Sequence, residues 1–253
     1  MRRINVRRTV AAASAVSLAL LVGACGSGDP AAKDEPKGGA GTPKESAAKA
    51  LTQAELDKLI LAESDLKDHK IAKANEADIA TAKTATSDKA ECKPLVDAMA
   101  LRAAGTPGAT ASRKIVAIPK APGADASPED KAKAGLAALS ATVTADTLGS
   151  YDGQGAQDAF AAFKKAGEDC AGGFTLVTGT EKTKFTKIET AAFTGGDEAV
   201  AFTLTMDLEG DAGTTQLVAV RKGGTLATFH ALSLAGKAEQ PKAVVDAQLK
   251  KLG

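Results

Sequence analysis

The sequence predicts an α+β domain: an antiparallel β-sheet of about five to seven strands packed against helices, with one disulfide inside the domain. Two observations carry this prediction. From Phe174 onward the chain alternates apolar and polar residues in short runs, and residues 198–208 show this alternation most clearly. Glycine-containing turns at 194–197, 209–213 and 222–224 separate the runs, and turns this short join antiparallel neighbours.

The predicted strands cover residues 114–118, 139–146, 174–178, 183–193, 198–208, 214–222 and 225–234. In the run 139–146, apolar residues alternate with polar ones, so this strand is expected to turn one face to solvent. Residues 119–135 carry prolines among many charges. That composition predicts a long mobile loop or an insertion, which is the segment we expect to cover any binding site.

Sequence patterns typical of helices lie before, between and after the predicted strands. Thr52 and Glu55 form a capping-box pattern that starts a helix. A second helix is predicted at about residues 91–102, with a proline in its first turn. Residues 156–170 repeat apolar side chains at helical spacing, and Pro241 opens a final helix.

The amino-terminal residues 1–24 have the order of a lipoprotein signal peptide. An arginine-rich start is followed by an uncharged apolar run over residues 10–22. Gly23 and Ala24 then precede Cys25, a pattern that resembles a lipobox and implies cleavage after Ala24 and lipidation of Cys25. The alternative is an ordinary secretory peptide that is cut elsewhere and leaves Cys25 free. The arginine pair in this segment leaves twin-arginine export open.

Three regions follow from this order: the signal peptide at 1–24, the lipidated cysteine with a disordered tether at 25–50, and one globular domain at 51–253. The expected location is the extracytoplasmic face of the cell membrane, with the membrane as a partner through the N-terminal lipid. The formal net charge is +1, and residues 1–24 hold four arginines and no acid, so the mature chain is mildly acidic. With 3% aromatic residues and no tryptophan, it is not expected to bind nucleic acid.

Cys92 and Cys170 remain once Cys25 is lipidated. In an exported protein such a pair is expected to form a disulfide. The alternative is a reactive or metal-binding cysteine, but metal sites usually show closely spaced pairs such as C-x-x-C, and the sequence has none.

The sequence contains no catalytic signature, so no enzyme activity, cofactor or metal is expected. It lacks the nucleophile elbow, the metalloprotease helix and the phosphate loop. Both histidines are expected to be structural. His230 lies in an apolar strand, where we expect its imidazole to be hydrogen-bonded within the fold, and His69 lies in a polar stretch, where we expect it to be solvated.

Three further features are favoured as structural. Gly153 and Gly155 lack the third glycine of a dinucleotide loop and are expected to join a strand to a helix. The carboxylates of residues 207–211 do not match a calcium loop, and a hairpin turn is expected there. Tyr151 is the residue that could line a pocket, although a lone tyrosine more often packs its ring and hydrogen-bonds nearby.

The order of these features resembles a group of actinobacterial lipoproteins. The shared pattern is a lipobox, a linker, a helix beginning Leu51-Thr52-x-Ala54-Glu55-Leu56, then Cys92-x-Pro94-Leu95, Ala111-Ser112-Arg113, Ser150-Tyr151-Asp152 and Cys170-Ala171-Gly172-Gly173-Phe174. Over about residues 50–253, these proteins resemble in turn the extracellular sensor domain of PknH-type mycobacterial receptor kinases. The resemblance implies an antiparallel sheet flanked by helices, with a cleft suspected of binding an unknown ligand. That family has two disulfides and this chain can form one, so no ligand-binding residues are carried over.

Four functions are compared. The sequence favours a membrane-anchored, non-enzymatic ligand-binding or sensor-like domain whose ligand is unknown. The first alternative is a carrier of lipid or another hydrophobic ligand, since a curved sheet can enclose an apolar cavity. A hydrolase acting on the cell wall and a structural role through protein partners are the others. The ligand, whether a small molecule, a lipid or a protein, is not specified by the sequence.

Overall fold

The computed structural model describes residues 49–233 and 235–253. The predicted signal peptide at 1–24 and residues 25–48 of the predicted tether, Cys25 included, lie outside the described residues. The helices are α1 Gln53–Leu59, α2 Glu76–Thr84, α3 Lys93–Met99, α4 Pro128–Leu139, α5 Gly155–Asp169 and α6 Lys242–Leu252. The strands are β1 His69–Ala72, β2 Thr86–Ser87, β3 Ala109–Ala117, β4 Thr142–Ser150, β5 Phe174–Thr178, β6 Glu181–Ala191, β7 Glu198–Leu208, β8 Asp211–Lys222 and β9 Thr225–Ser233. Within this part of the chain, no helix has the length and hydrophobicity needed to cross a membrane.

All nine strands form one antiparallel sheet in the order β1-β3-β4-β9-β8-β7-β6-β5-β2. The prediction of about five to seven strands was therefore wrong. The two edge strands account for the difference, because β1 has four residues and β2 has two. Strands this short hold too few residues to show a period of two. They form through pairing with β3 and β5, which are distant in sequence.

The prediction of a loop over residues 119–135 was wrong for its second half, because α4 begins at Pro128. The Ser127 hydroxyl accepts a hydrogen bond from the backbone N–H of Asp130 at 3.1 Å, and Pro128 occupies the first helical turn. No described side chain of α4 is buried, and Leu136 is 67% exposed. Four of the six charged residues that suggested a loop belong to this exposed helix, which ends at the position where a strand was predicted to begin.

The exposed face predicted for the strand at 139–146 does not exist. In β4 the polar residues Thr144 and Asp146 are buried, whereas Val143 and Ala145 are partly exposed. The reason is that helices cover the sheet on both faces, so alternation along β4 does not separate a wet face from a dry one.

Two apolar cores lie on opposite faces of the sheet. The first is under α3 and α5, where the ring centroids of Phe163 and Phe202 lie 5.8 Å apart. The second is under α1 and α6 and includes Leu56, Phe229 and Val245. Ala201, next to Phe202 in β7, belongs to the second core. Successive residues of a strand point to opposite faces, so both faces of this central strand are buried.

A disulfide joins Cys92, directly before α3, to Cys170, directly after α5. The two cysteines are 78 residues apart in sequence and both are fully buried in the first core. The bond fixes α3 against α5, and the carboxyl end of α3 is where the pocket described next begins.

Candidate functional site

An apolar pocket of about 310 Å³ lies beneath α2, which we call the α2 pocket. Its lining residues come from six strands or helices and the turns beside them: Asp78, Thr81, Ala82, Ala85, Met99, Ala100, Leu101, Lys114, Val143, Ala145, Leu176, Thr178, His230 and Leu232. Strands β4 and β9 contribute to it, and so does β5, which lies four places from β9 in the sheet. The sheet therefore curves around the pocket.

The floor of the α2 pocket is formed where α3 no longer covers the sheet. This helix ends at Met99, and Leu101 adopts a positive φ of 56° as the chain turns away. Val143, Ala145 and Leu232 on the sheet are left facing the space beyond the end of α3. All three side chains are apolar and partly exposed.

His230 is a polar group in the wall of the pocket. Its Nε2 lies 2.7 Å from Oγ1 of Thr215, and the Thr215 hydroxyl donates its one proton to the carbonyl of Ala231 at 2.5 Å. Burial lowers the pKa of His230 to about 4, against an opposing hydrogen bond with the backbone of Met99. The imidazole is therefore neutral at physiological pH. Thr215 is buried and already hydrogen-bonded, so it is not presented as a nucleophile.

Lys114 and Asp78 are the two charged residues that line the pocket. Lys114 Nζ lies 2.8 Å from Oδ1 of Asp78, with the side chains 38% and 19% exposed. The hydrogen bond from Lys114, followed by one from the backbone of Asn75, lowers the pKa of Asp78 below its ordinary value. The pocket thus combines an apolar interior with one ion pair at its mouth.

The structure does not bring the residues singled out in the sequence together at one site. Tyr151 is buried and donates a hydrogen bond to the carbonyl of Ala104 at 2.5 Å, outside the α2 pocket. His69 was expected to be solvated; instead it lies in β1, and its buried Nδ1 has no partner among the described residues. It lines a separate hollow of about 180 Å³ with Thr144 and Lys242.

The remaining candidates are structural in this fold. Gly155 begins α5, and residues 209–210 form the turn between β7 and β8. Across the residues the structure describes, no cluster of three histidine, cysteine or carboxylate side chains is arranged to hold a metal ion. Residues 119–135, expected to cover a site, contribute nothing to the lining of the α2 pocket, which α2 covers instead.

The fold and the pocket define the class of protein: a domain built on one β-sheet, with helices on both faces of the sheet and an apolar pocket under a short helix. No protein-family model matches the chain, and no curated protein matches it. Among solved structures, the chain is similar to the extracellular domain of PknH from Mycobacterium tuberculosis, with a TM-score of 0.47 and 10% sequence identity. The match covers 81% of this chain and 96% of that chain.

Proposed function

We propose that the chain is an extracytoplasmic lipoprotein whose domain binds a small apolar molecule in the α2 pocket without chemically changing it. The observation that carries this proposal is the apolar lining of a pocket of about 310 Å³. Small-molecule sites are typically largely apolar, with a few placed polar groups and volumes of about 300–1,000 Å³. Here His230, Lys114 and Asp78 supply such polar groups.

The same observations favour binding over catalysis. The neutral imidazole of His230 contacts a buried threonine hydroxyl, not an accessible nucleophile. The Asp78 carboxylate is paired with Lys114, and the lowered pKa of Asp78 is the opposite of what a general acid needs. The volume of the α2 pocket is near the lower end of the usual range, so it suits one small ligand better than a lipid with two acyl chains. We therefore favour a sensor-like role over lipid carriage.

The test uses N-phenylnaphthylamine, a neutral apolar dye whose fluorescence rises when it leaves water. The protein is the chain from residue 26 to 253, which keeps both the apolar run 10–22 and any lipid on Cys25 out of the assay. Ala145→Phe fills the pocket from the sheet, and Ala82→Phe fills it from α2. We expect each variant to weaken dye binding by about tenfold or more, because either ring occupies the space that the dye needs.

Ala137→Phe is the matched control, because it adds the same ring to the exposed surface of α4. It should bind the dye as the parent chain does. The proposal is wrong if the parent chain and both pocket variants bind the dye equally. Circular dichroism on every variant separates a filled pocket from a failure to fold.

A further inference from the structure

Helix α2 closes the pocket with little apolar packing of its own. None of its nine residues is buried, and Ile79 is 46% exposed. A second hollow of about 260 Å³ adjoins the α2 pocket, and Asp78, Ala82 and Leu101 line both. The helix therefore lies over open space along much of its length.

Polar contacts hold α2 in place, and they differ between its two ends. At the carboxyl end, the Arg102 guanidinium donates to the carbonyls of Ala82 and Ala85, the latter at 3.0 Å. Arg102 is itself fixed by the buried carboxylate of Asp97 at 2.7 Å. Cations at a helix carboxyl end also interact favourably with its dipole. This end of α2 is thus firmly attached.

The amino-terminal half of α2 is attached to the sheet through Asp78. Among the described residues, the Asp78–Lys114 contact is the only ion pair that α2 makes. Lys114 lies in β3, between β1 and β4, so its backbone is fixed by pairing on both sides. An ion pair that water reaches contributes little to stability. Asp78 can therefore leave while Lys114 stays at the mouth of the pocket.

We propose that the ligand of the α2 pocket is an apolar molecule with one anionic group, and that this group replaces Asp78 on Lys114. This inference rests on the proposed function and specifies its ligand class. The apolar part would lie on Val143, Ala145 and Leu232. Lys114 is the only cation among the residues that line the pocket, so it is the group that would receive the charge.

Release of Asp78 gives the site a means of signalling occupancy. The amino-terminal half of α2 loses its tie to β3, while Arg102 keeps the carboxyl end in place. The helix then pivots about its carboxyl end. A neutral apolar ligand would fill the same space and leave the ion pair closed.

The experiment compares two dyes that share one aromatic body. Anilinonaphthalene sulfonate carries a negative charge, whereas N-phenylnaphthylamine is neutral. Lys114→Gln removes the cation, and we expect it to weaken sulfonate binding by about tenfold with little effect on the neutral dye. Asp78→Asn removes the competing anion but keeps the side-chain oxygen that caps α2 through Asn75. It should strengthen sulfonate binding.

Lys133→Gln is the matched control, since it breaks an exposed ion pair with Glu129 on α4, away from the pocket. It should change neither affinity. Hydrogen–deuterium exchange of residues 76–80 provides the second readout: it should rise when the sulfonate binds and stay unchanged with the neutral dye.

The outcomes separate the two proposals. If neither dye binds the parent chain better than it binds Ala145→Phe, the proposed function fails. If both dyes bind in the pocket but Lys114→Gln affects them equally, or if exchange in α2 does not change, the anion-exchange inference alone is overturned.

Discussion

Asp146 in β4 lies directly opposite Arg113 in β3, yet the Arg113 guanidinium bonds to the backbone carbonyls of Leu61 and Ser112. Neither carboxylate oxygen of Asp146 has a hydrogen-bond partner among the described residues, and the side chain is fully buried. Burial raises the pKa of Asp146 to about 8, although the charge of Arg113 acts in the opposite direction.

The first prediction is that Asp146 makes the fold less stable as pH rises. In the unfolded chain the carboxyl loses its proton near its ordinary pKa of 3.8, whereas the folded protein keeps it until about pH 8. The free energy of unfolding should therefore fall between about pH 4 and pH 8. Asp146→Asn should remove this loss, roughly 5–6 kcal/mol across the window, as measured by urea unfolding at several pH values.

Asp125→Asn is the control for this measurement, because Asp125 is exposed in the segment before α4. It should leave the slope of stability against pH as it is in the parent chain. An unchanged slope in Asp146→Asn would show that Asp146 does not keep its proton in the folded state.

The second prediction concerns His230, whose effect has the opposite sign. Its pKa is about 4 in the folded protein, against an ordinary value of 6.5 in the unfolded chain, so the unfolded chain binds a proton first as pH falls. The free energy of unfolding should drop from about pH 6.5 to about pH 4. His230→Gln should recover on the order of 3 kcal/mol of this pH-dependent loss. Asp146 has the opposite effect on stability over the same pH range. The His230→Gln substitution is therefore made in a chain that already carries Asp146→Asn, and its stability is compared with that of Asp146→Asn alone.

The sequence predicted the regular part of the sheet well. Strands β5 to β9 alternate over many residues and are joined by short glycine-containing turns, so their positions follow from local pattern. The Cys92–Cys170 bond could be anticipated because the predicted export of the chain and lipidation of Cys25 would leave one pair to form. Local signals of this kind need no knowledge of distant contacts.

The α2 pocket could not be predicted in the same way. Asn75 and Asp78 form a capping box that marks the start of α2, but the helix shows no apolar periodicity because it lies over a hollow. Lys114 and Asp78 are 36 residues apart and meet only when β3 joins the sheet. Thr144 and Asp146 illustrate the same limit, since polar side chains in an alternating strand suggest a face exposed to solvent, whereas both faces of this sheet are covered.

The third prediction concerns the disulfide. Cys92→Ala with Cys170→Ala should lower the free energy of unfolding by about 2–4 kcal/mol, because the unfolded chain is no longer constrained by a closed loop. Dye binding should weaken as well, since α3 positions Met99 and Leu101 in the pocket wall. A reducing agent should lower the stability of the parent chain and leave the double variant unchanged. Equal stability of the two chains under oxidising conditions would contradict the prediction.

The fourth prediction concerns the anchor, which lies outside the described residues. If Cys25 carries the lipid, the chain should fractionate with membranes and be released by detergent, because two acyl chains give stable attachment where one is marginal. Cys25→Ser should leave the precursor uncleaved after Ala24, since the lipidated thiol marks the cleavage site. The mass of the purified protein, measured by mass spectrometry, shows whether residues 1–24 are still present. A Cys25→Ser chain that is still cut after Ala24 and recovered without detergent would identify an ordinary secretory signal instead. Cys92→Ala with Cys170→Ala is the matched control, because it removes the other two cysteines and should leave membrane attachment intact.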